Sequence, residues 1–194
     1  MSEIKHNENN IECIFSFESE NSTSDIEIID KKEKETEIED RKYRIIQSIN
    51  KTLEKLINKK KKKKNTINEL TAIFFSETIP EISVLDYLIR IIKYTYCEES
   101  TMILGLIYLD RICLKNILIS KYNIHKLLFV SILLAIKNNE DQIYKNDYYC
   151  EVSGINLSDL CLMEYNFAIL LNFNFYVNDY EYNLYKNAID MNIL

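Results

Sequence analysis

Two charged residues, Lys137 and Glu164, interrupt the apolar faces of two predicted helices. At about 100° per residue, Glu164 lies in the middle of an apolar stripe. That stripe is formed by Leu157, Leu160, Cys161, Phe167, Ala168 and Leu171. Lys137 shares its helix face with Val130, Leu133 and Leu134. Burying a charged side chain costs roughly several kcal/mol unless it finds a hydrogen-bonding or oppositely charged partner. The chemistry expected here is therefore charge pairing or polar recognition.

Two interpretations of these charges are open. In the first, Lys137 lies at a helix C-terminus, where the helix dipole favours a cation, and Glu164 is its internal partner. In the second, the two side chains form an exposed fork that binds the backbone of another protein. A lysine can donate to carbonyl groups and a glutamate can accept from amide groups. The pattern alone favours the internal pair and does not exclude the fork.

Other candidate chemistry finds little support. The only histidines are His6, in a polar stretch, and His125, near the start of a predicted helix, so no Ser-His-Asp or Cys-His constellation is evident. The five cysteines are widely spaced and contain no C-x-x-C motif, which disfavours a zinc site and indicates a reducing compartment. Two glycines cannot form a phosphate-binding loop. We expect no enzyme activity, catalytic residue, cofactor, metal or small-molecule substrate.

Composition and periodicity predict an all-α protein. Hydrophobic residues make up 47% of the chain, with two glycines and one proline in 194 residues. Apolar residues at helical spacing predict an amphipathic helix from about 42 to 58. Further helical segments follow at 81–96, 100–116, 123–139, 142–152 and 157–173. The segment 127–136 is apolar almost all round, which is typical of a central buried helix.

The two glycines and the ends of the helical set give further expectations. Gly105, inside the segment 100–116, would cost helix stability unless a neighbouring helix packs closely there. Gly154 is expected to end the segment 142–152 in a left-handed conformation. We expect the helix at 42–58 to pack on the helices that follow through its apolar face, and the aromatic segment 174–194 to pack back on the core.

Charge divides the chain into three parts. Residues 1–40 carry a net charge of −9 without apolar periodicity, so we expect a disordered acidic tail. Residues 41–80 carry +8, including the run Lys59 to Lys64. That run is interpreted as a solvated loop, and the alternative is a nuclear localisation signal or a nucleic-acid-binding patch. Residues 81–194 carry −5, which opposes phosphate attraction.

From about 80 to 185 the sequence resembles the cyclin family, most closely the single-box P-type cyclins that serve phosphate-regulon-like kinases. The resemblance is carried by an ordered set of segments: "DYLIRIIKYT", "GLIYLDRI", "NIHKLLFVSILLAIK", "DQIYKNDYYCEVSGI" and "LCLMEYNFAILLNFNFYV". It implies a single five-helix cyclin box over 80–185, preceded by an extra helix and lysine-rich loop at 41–79. Residues 186–194 form a C-terminal tail.

The resemblance implies a regulatory subunit that binds and activates a cyclin-dependent protein kinase by positioning the kinase αC helix. The family's kinase-binding lysine and glutamate match Lys137 and Glu164. Apolar kinase contacts of the family match Leu134, Ala168 and Phe173. The alternatives are a cyclin-box scaffold that does not activate a kinase, and a transcription-factor-like nucleic-acid-binding module.

The sequence departs from the cyclin pattern in two respects. Asn138 stands where relatives commonly have an aromatic residue, and the first box helix lacks the start that builds a substrate-docking groove. Asp110 pairs in many cyclins with an arginine of that helix, here Arg90, which could instead form a surface pair with Asp86. No apolar stretch reaches the ~18 residues of a membrane span. We expect the protein in the nucleus, the cytoplasm or both.

Overall fold

Helices make up the regular secondary structure of the residues that the structure describes. The structure, a computed structural model, describes residues 23–58, 68–115 and 117–191. Within those ranges it contains eight helices and no strand. They are α1 (Thr23–Asn58), α2 (Glu69–Ala72), α3 (Val84–Thr95), α4 (Glu99–Leu114), α5 (Ile124–Asn139), α6 (Asn146–Ser153), α7 (Leu157–Leu170) and α8 (Asp179–Asp190). The predicted all-α fold class is confirmed, and α3 to α7 correspond to the five predicted box helices.

Helix α1 begins earlier than the sequence predicts. It starts at Thr23, so residues 23–40 have helical backbone where a disordered tail is expected, while residues 1–22 lie outside the described residues. The difference arises because no glycine or proline occurs between 23 and 58, and the abundant Glu and Lys favour helix. High charge predicts poor packing but does not end a helix. The chain divides into the units Met1–Arg41 and Lys42–Leu194, and the features described below lie in the second.

The part of α1 within the second unit packs on the box as predicted. Its apolar face is buried and belongs to the same core as the box helices, through Ile45, Ile46, Ile49 and Leu53. The lysine run that follows α1 lies outside the described residues. Its interpretation as a solvated loop or as a nuclear localisation signal therefore stays a prediction.

Helix α5 is the central helix of the box. Its residues from Ile124 to Val130 are buried except Lys126, and it packs closely against α4. The contact with α4 depends on Gly105, because a Cβ placed there would lie 3.0 Å from Ile132 Cγ1 and 3.1 Å from Ile132 Cα. The sequence predicted such a close approach, since a mid-helix glycine otherwise only costs stability.

The end of α6 also agrees with the prediction. Gly154 is the residue after the helix, with φ +74° in the left-handed region, and its amide donates to the Cys150 carbonyl at 2.8 Å. That conformation suits glycine because it carries no Cβ. Helix α7 starts three residues after Gly154, at Leu157, with the Asn156 side chain accepting from the Asp159 amide at 2.9 Å.

The C-terminal segment contains a helix that the sequence does not predict. The segment leading into α8 is held by Arg111, which binds the Glu181 carboxylate at 2.7 Å and the carbonyls of Asn174 and Tyr176 at 2.9 and 2.8 Å. Ile189 is buried in the core. The expected packing of this aromatic segment on the core is confirmed, and it occurs through a helix.

Neither of the two pairings left open for Arg90, with Asp110 or with Asp86, occurs among the described residues. Asp110 accepts a 2.6 Å hydrogen bond from the Tyr185 hydroxyl, and Arg90 donates to the Glu151 carbonyl at 3.0 Å. The reason is the unpredicted α8, which brings Tyr185 to Asp110. None of the helices in the described ranges is both long and apolar enough to cross a membrane.

Candidate functional site

Helix α5 carries Lys137 in its last turn, at the end of a segment that is buried on nearly every side. A cation is favoured there because the last carbonyl groups of a helix carry partial negative charge. The Lys137 side chain is 29% exposed. The side chain is therefore mostly buried, with a part of it accessible at the surface.

Helix α7 packs against α5 and places Glu164 beside this ammonium group. The Lys137 Nζ to Glu164 Oε1 distance is 2.5 Å, and the Glu164 side chain is 13% exposed. The structure therefore contains the internal ion pair that one of the two interpretations predicted. An ion pair in this position relieves the cost of placing each charge in an apolar stripe.

A third polar residue, Asn146, completes the arrangement. It is the first residue of α6, and its Oδ1 accepts from Lys137 Nζ at 2.7 Å. Its Nδ2 donates to Glu164 Oε2 at 2.9 Å. Lys137, Glu164 and Asn146, which we term the charge ring, thus come from three different helices and each contacts the other two.

The charge ring leaves hydrogen-bonding capacity unused. An ammonium group has three donors, and two of them point to Glu164 and Asn146. Each carboxylate oxygen of Glu164 accepts one of these ring hydrogen bonds and can accept another. Because both charged side chains are partly exposed, internal pairing does not prevent them from also binding an external backbone.

The three predicted apolar contact residues lie on the same two helices or directly after them. Leu134 is half-buried on α5, one turn before Lys137. Ala168 lies one turn after Glu164 and is 7% exposed, while Phe173 follows α7 and is 61% exposed. The Phe173 amide donates to the Ala168 carbonyl at 2.8 Å, and Phe173 has φ +55°. Phe173 therefore offers a large exposed ring, whereas Ala168 offers little surface. Their role as kinase contacts stays a prediction.

The polar residues after Lys137 hold the end of α5 against α4. Asn138 donates to the Tyr108 hydroxyl at 3.3 Å, and Asn139 donates to Thr101 Oγ1 at 2.8 Å. Glu140 Oε1 accepts from the Glu98 amide at 2.9 Å, at the start of α4. A carboxylate suits that position because the first amide groups of a helix carry partial positive charge. Asn138 thus contacts a tyrosine of its own chain.

His125 and Cys97 are buried titratable groups that lie outside the charge ring. His125 is buried, and its Nε2 donates to the Ile82 carbonyl at 2.9 Å. Burial lowers the His125 pKa, partly offset by that hydrogen bond. Burial has the opposite effect on the Cys97 thiol, because it raises the pKa of that group. Across the described ranges, no group of three or more His, Cys, Asp or Glu side chains is placed to hold a metal ion.

Sequence patterns identified two members of the charge ring and missed the third. Lys137 and Glu164 were found because a charge on an apolar helix face is unusual. Asn146 gave no such signal, because asparagine near a helix start is common and normally indicates a cap. Only the packing of α6 on α7 reveals its contacts.

Comparison with known proteins assigns this chain to a family. The family model for cyclins matches residues 33–175, more than two thirds of the chain. Cyclin-U2-1 of Arabidopsis thaliana is 37% identical over 110 residues, which cover 56% of this chain and 50% of that protein. Cyclin-U4-1 of Arabidopsis thaliana is 32% identical over 122 residues, covering 62% of this chain and 60% of that protein.

A rice relative gives a similar result. Cyclin-P3-1 of Oryza sativa subsp. japonica is 30% identical over 115 residues, covering 59% of this chain and 49% of that protein. The chain thus spans about half the length of the curated relatives it matches. The predicted resemblance to P-type and U-type cyclins is confirmed. With its five-helix box and the match to the family model over most of its length, this chain belongs to the cyclin family.

Proposed function

We propose that this chain is the regulatory subunit of a cyclin-dependent protein kinase, and that it activates the kinase by holding its αC helix in the active position. Kinase catalysis requires an ion pair between a lysine of strand β3 and a glutamate of αC, so the placement of αC controls activity. A partner that binds the active αC position more tightly than the inactive one shifts the kinase towards its active state.

The observation that supports this proposal best is the charge ring at the surface end of α5. Lys137 and Glu164 are partly exposed, lie 2.5 Å apart and keep unused donor and acceptor capacity. A cation and an anion in fixed relative positions can bind a carbonyl and an amide of one backbone segment. This polar pair would fix the register of αC on the cyclin surface.

Apolar contacts supply most of the affinity in this proposal. Leu134 lies on α5 one turn before Lys137, and Phe173 follows the end of α7 and is largely exposed. Large aromatic side chains contribute strongly to interface energies when a partner covers them. A kinase surface with an apolar αC face and accessible backbone groups at its end would therefore complement this site.

The proposal is tested by affinity purification from the source cell, with the wild-type chain and Lys137→Ala/Glu164→Ala as parallel baits. We expect one cyclin-dependent kinase to be enriched with the wild-type chain and strongly depleted with the double variant. Lys93→Ala is the matched control, since Lys93 is an exposed lysine in the last turn of a neighbouring box helix. Equal recovery of the kinase by all three baits would reject the proposed binding site.

Activation needs a separate experiment. The recovered kinase is assayed for phosphorylation of a peptide substrate with and without the purified chain. A rise in activity supports an activating subunit. A complex that forms without any rise would instead indicate a cyclin-box scaffold.

A further inference from the structure

Asn146 uses both ends of one carboxamide to bind the two charged residues of the candidate site. Its oxygen accepts from Lys137 Nζ at 2.7 Å, and its nitrogen donates to Glu164 Oε2 at 2.9 Å. The same nitrogen lies 3.5 Å from Cys161 Sγ, a weaker contact. The carboxamide therefore fixes the relative positions of an ammonium group and a carboxylate on two different helices.

The anchoring of Asn146 makes this arrangement rigid. Asparagine has only two rotatable side-chain bonds, whereas lysine has four and glutamate three. Asn146 is the first residue of α6, where the Lys145 carbonyl accepts from the amide of Tyr148 at 3.1 Å. Helix α6 packs against both α3 and α7. Without the carboxamide, Lys137 and Glu164 could still pair with each other, but their side chains would sample more rotamers.

The remaining capacity of the ring lies with the two charges. Lys137 keeps one donor and Glu164 keeps acceptor sites, while the oxygen and nitrogen of Asn146 are both engaged within the ring. A partner backbone can therefore bind Lys137 and Glu164 without displacing the carboxamide. This favours a role for Asn146 in preparing the site before the partner arrives.

We propose that Asn146 is a positioning residue that orients Lys137 and Glu164 for binding a partner backbone. This inference rests on the proposed function, because the partner is the kinase that the chain is proposed to bind. Asparagine suits the position because one planar group supplies both a donor and an acceptor. Aspartate has nearly the same shape but replaces the donor with a second negative oxygen beside Glu164.

The test measures the dissociation constant for the kinase recovered with the wild-type chain, well below the melting temperature of every variant. We expect Asn146→Ala and Asn146→Asp each to weaken binding about tenfold. Asn146→Asp separates positioning from packing, because it keeps the shape and places an acid in the first turn of α6, where the helix dipole favours it. Its melting temperature should therefore fall less than that of Asn146→Ala, although both lose binding.

A double-mutant cycle shows whether Asn146 acts through the two charges. In the Lys137→Ala/Glu164→Ala background, Asn146→Ala should change binding by less than about twofold, because the groups it positions are gone. Asn156→Ala is the control, since Asn156 is also an asparagine at a helix start and its side chain caps α7. It should lower the melting temperature and leave the dissociation constant unchanged.

The outcomes distinguish this inference from the proposed function. If Lys137→Ala and Glu164→Ala weaken binding while both Asn146 variants bind within about twofold of wild type, the positioning role is rejected and the proposed function stands. If Asn146→Ala weakens binding equally in the wild-type and double-variant backgrounds, Asn146 does not act through the charges and the inference also fails. If no variant changes binding, both proposals are rejected.

Discussion

At the scale of single residues, the two charges of the candidate site are tolerated because each has specific partners. Lys137 and Glu164 bind each other and Asn146. His125 is a different case, because only one of its ring nitrogens is paired. Nε2 donates to the Ile82 carbonyl, whereas the buried Nδ1 has no hydrogen-bond partner among the described residues. Protonating Nδ1 would therefore place an unpaired positive charge in the interior.

This environment predicts a pH dependence of stability that His125 causes. Burial lowers its pKa in the folded state, so the unfolded chain binds the proton more readily. Stability is then fully present above the unfolded pKa of about 6.5 and is lost as pH falls through the lower folded value. Urea unfolding at a series of pH values should show this loss for the wild type. His125→Gln should remove that part of the slope.

His6 provides the control, since it is the other histidine of the chain. His6→Gln should keep the wild-type pH dependence. A His125→Gln variant that loses stability below pH ~6.5 as steeply as the wild type would contradict the assignment.

At the scale of elements, the packing of the core depends on the close contact between α4 and α5 at Gly105. A methyl group at Gly105 would lie 3.1 Å from the Ile132 backbone, which cannot move without shifting α5. Gly105→Ala gains about 1 kcal/mol of helix propensity but overpacks the core at a cost of about 1–3 kcal/mol. We expect a net loss of about 1 kcal/mol in the free energy of unfolding, measured with urea.

Gly105→Ser should destabilise more, because it adds a hydroxyl as well as the Cβ. A double-mutant cycle with Ile132→Ala tests the mechanism, because that substitution removes Cγ1, and Gly105→Ala should cost less in the Ile132→Ala background. A stabilised Gly105→Ala variant would show that the two helices do not approach this closely.

The sequence predicted the five box helices because their apolar residues recur at helical spacing. It predicted Gly105 and Gly154 correctly because glycine has few reasons to occur in or after a helix. Helix α8 was missed because most of its residues are polar or aromatic and only Ile189 is fully buried. The start of α1 was missed because the high charge density was interpreted as disorder, although Glu and Lys residues also have a high helix propensity. In the candidate site, Asn146 was missed because its contacts arise only from packing between elements.

The N-terminal part of α1 provides a second prediction at this scale. Residues 23–41 are strongly acidic and their sequence shows no sustained apolar periodicity, and a helix with such a sequence is marginally stable in water. We expect hydrogen exchange to be fast over 23–41 and slow around Ile45, Ile49 and Leu53, whose side chains are buried. Protection over 23–41 as strong as that around Ile49 would contradict this expectation.

At the scale of the whole molecule, charge is unevenly distributed. The box is acidic at −5 over residues 81–194, whereas 41–80 carry +8, largely through Lys59 to Lys64. We predict that this run is dispensable for kinase binding, because the proposed site lies on α5 and α7. Replacing all six lysines with serine should leave the dissociation constant within about twofold of wild type at physiological salt. A loss of about tenfold would mean that the run contacts the partner.

The central claim is that Lys137 and Glu164 help the chain to activate a kinase rather than merely stabilise the box. Each variant, Lys137→Ala and Glu164→Ala, should destabilise the chain modestly, since a partly exposed ion pair contributes less than a buried one. Both should remain folded and helical by circular dichroism. Their effect on a kinase would be larger, because an orienting contact with the partner is lost as well.

The most direct test is the activation curve of the partner kinase, measured as substrate phosphorylation against the concentration of folded wild-type or variant chain. We predict that the half-activating concentration rises about tenfold or more for Lys137→Ala and for Glu164→Ala, and stays at the wild-type value for Lys93→Ala. Variants that melt at lower temperature yet activate the kinase at the wild-type concentration per folded molecule would contradict it. The pair would then serve only the stability of the box.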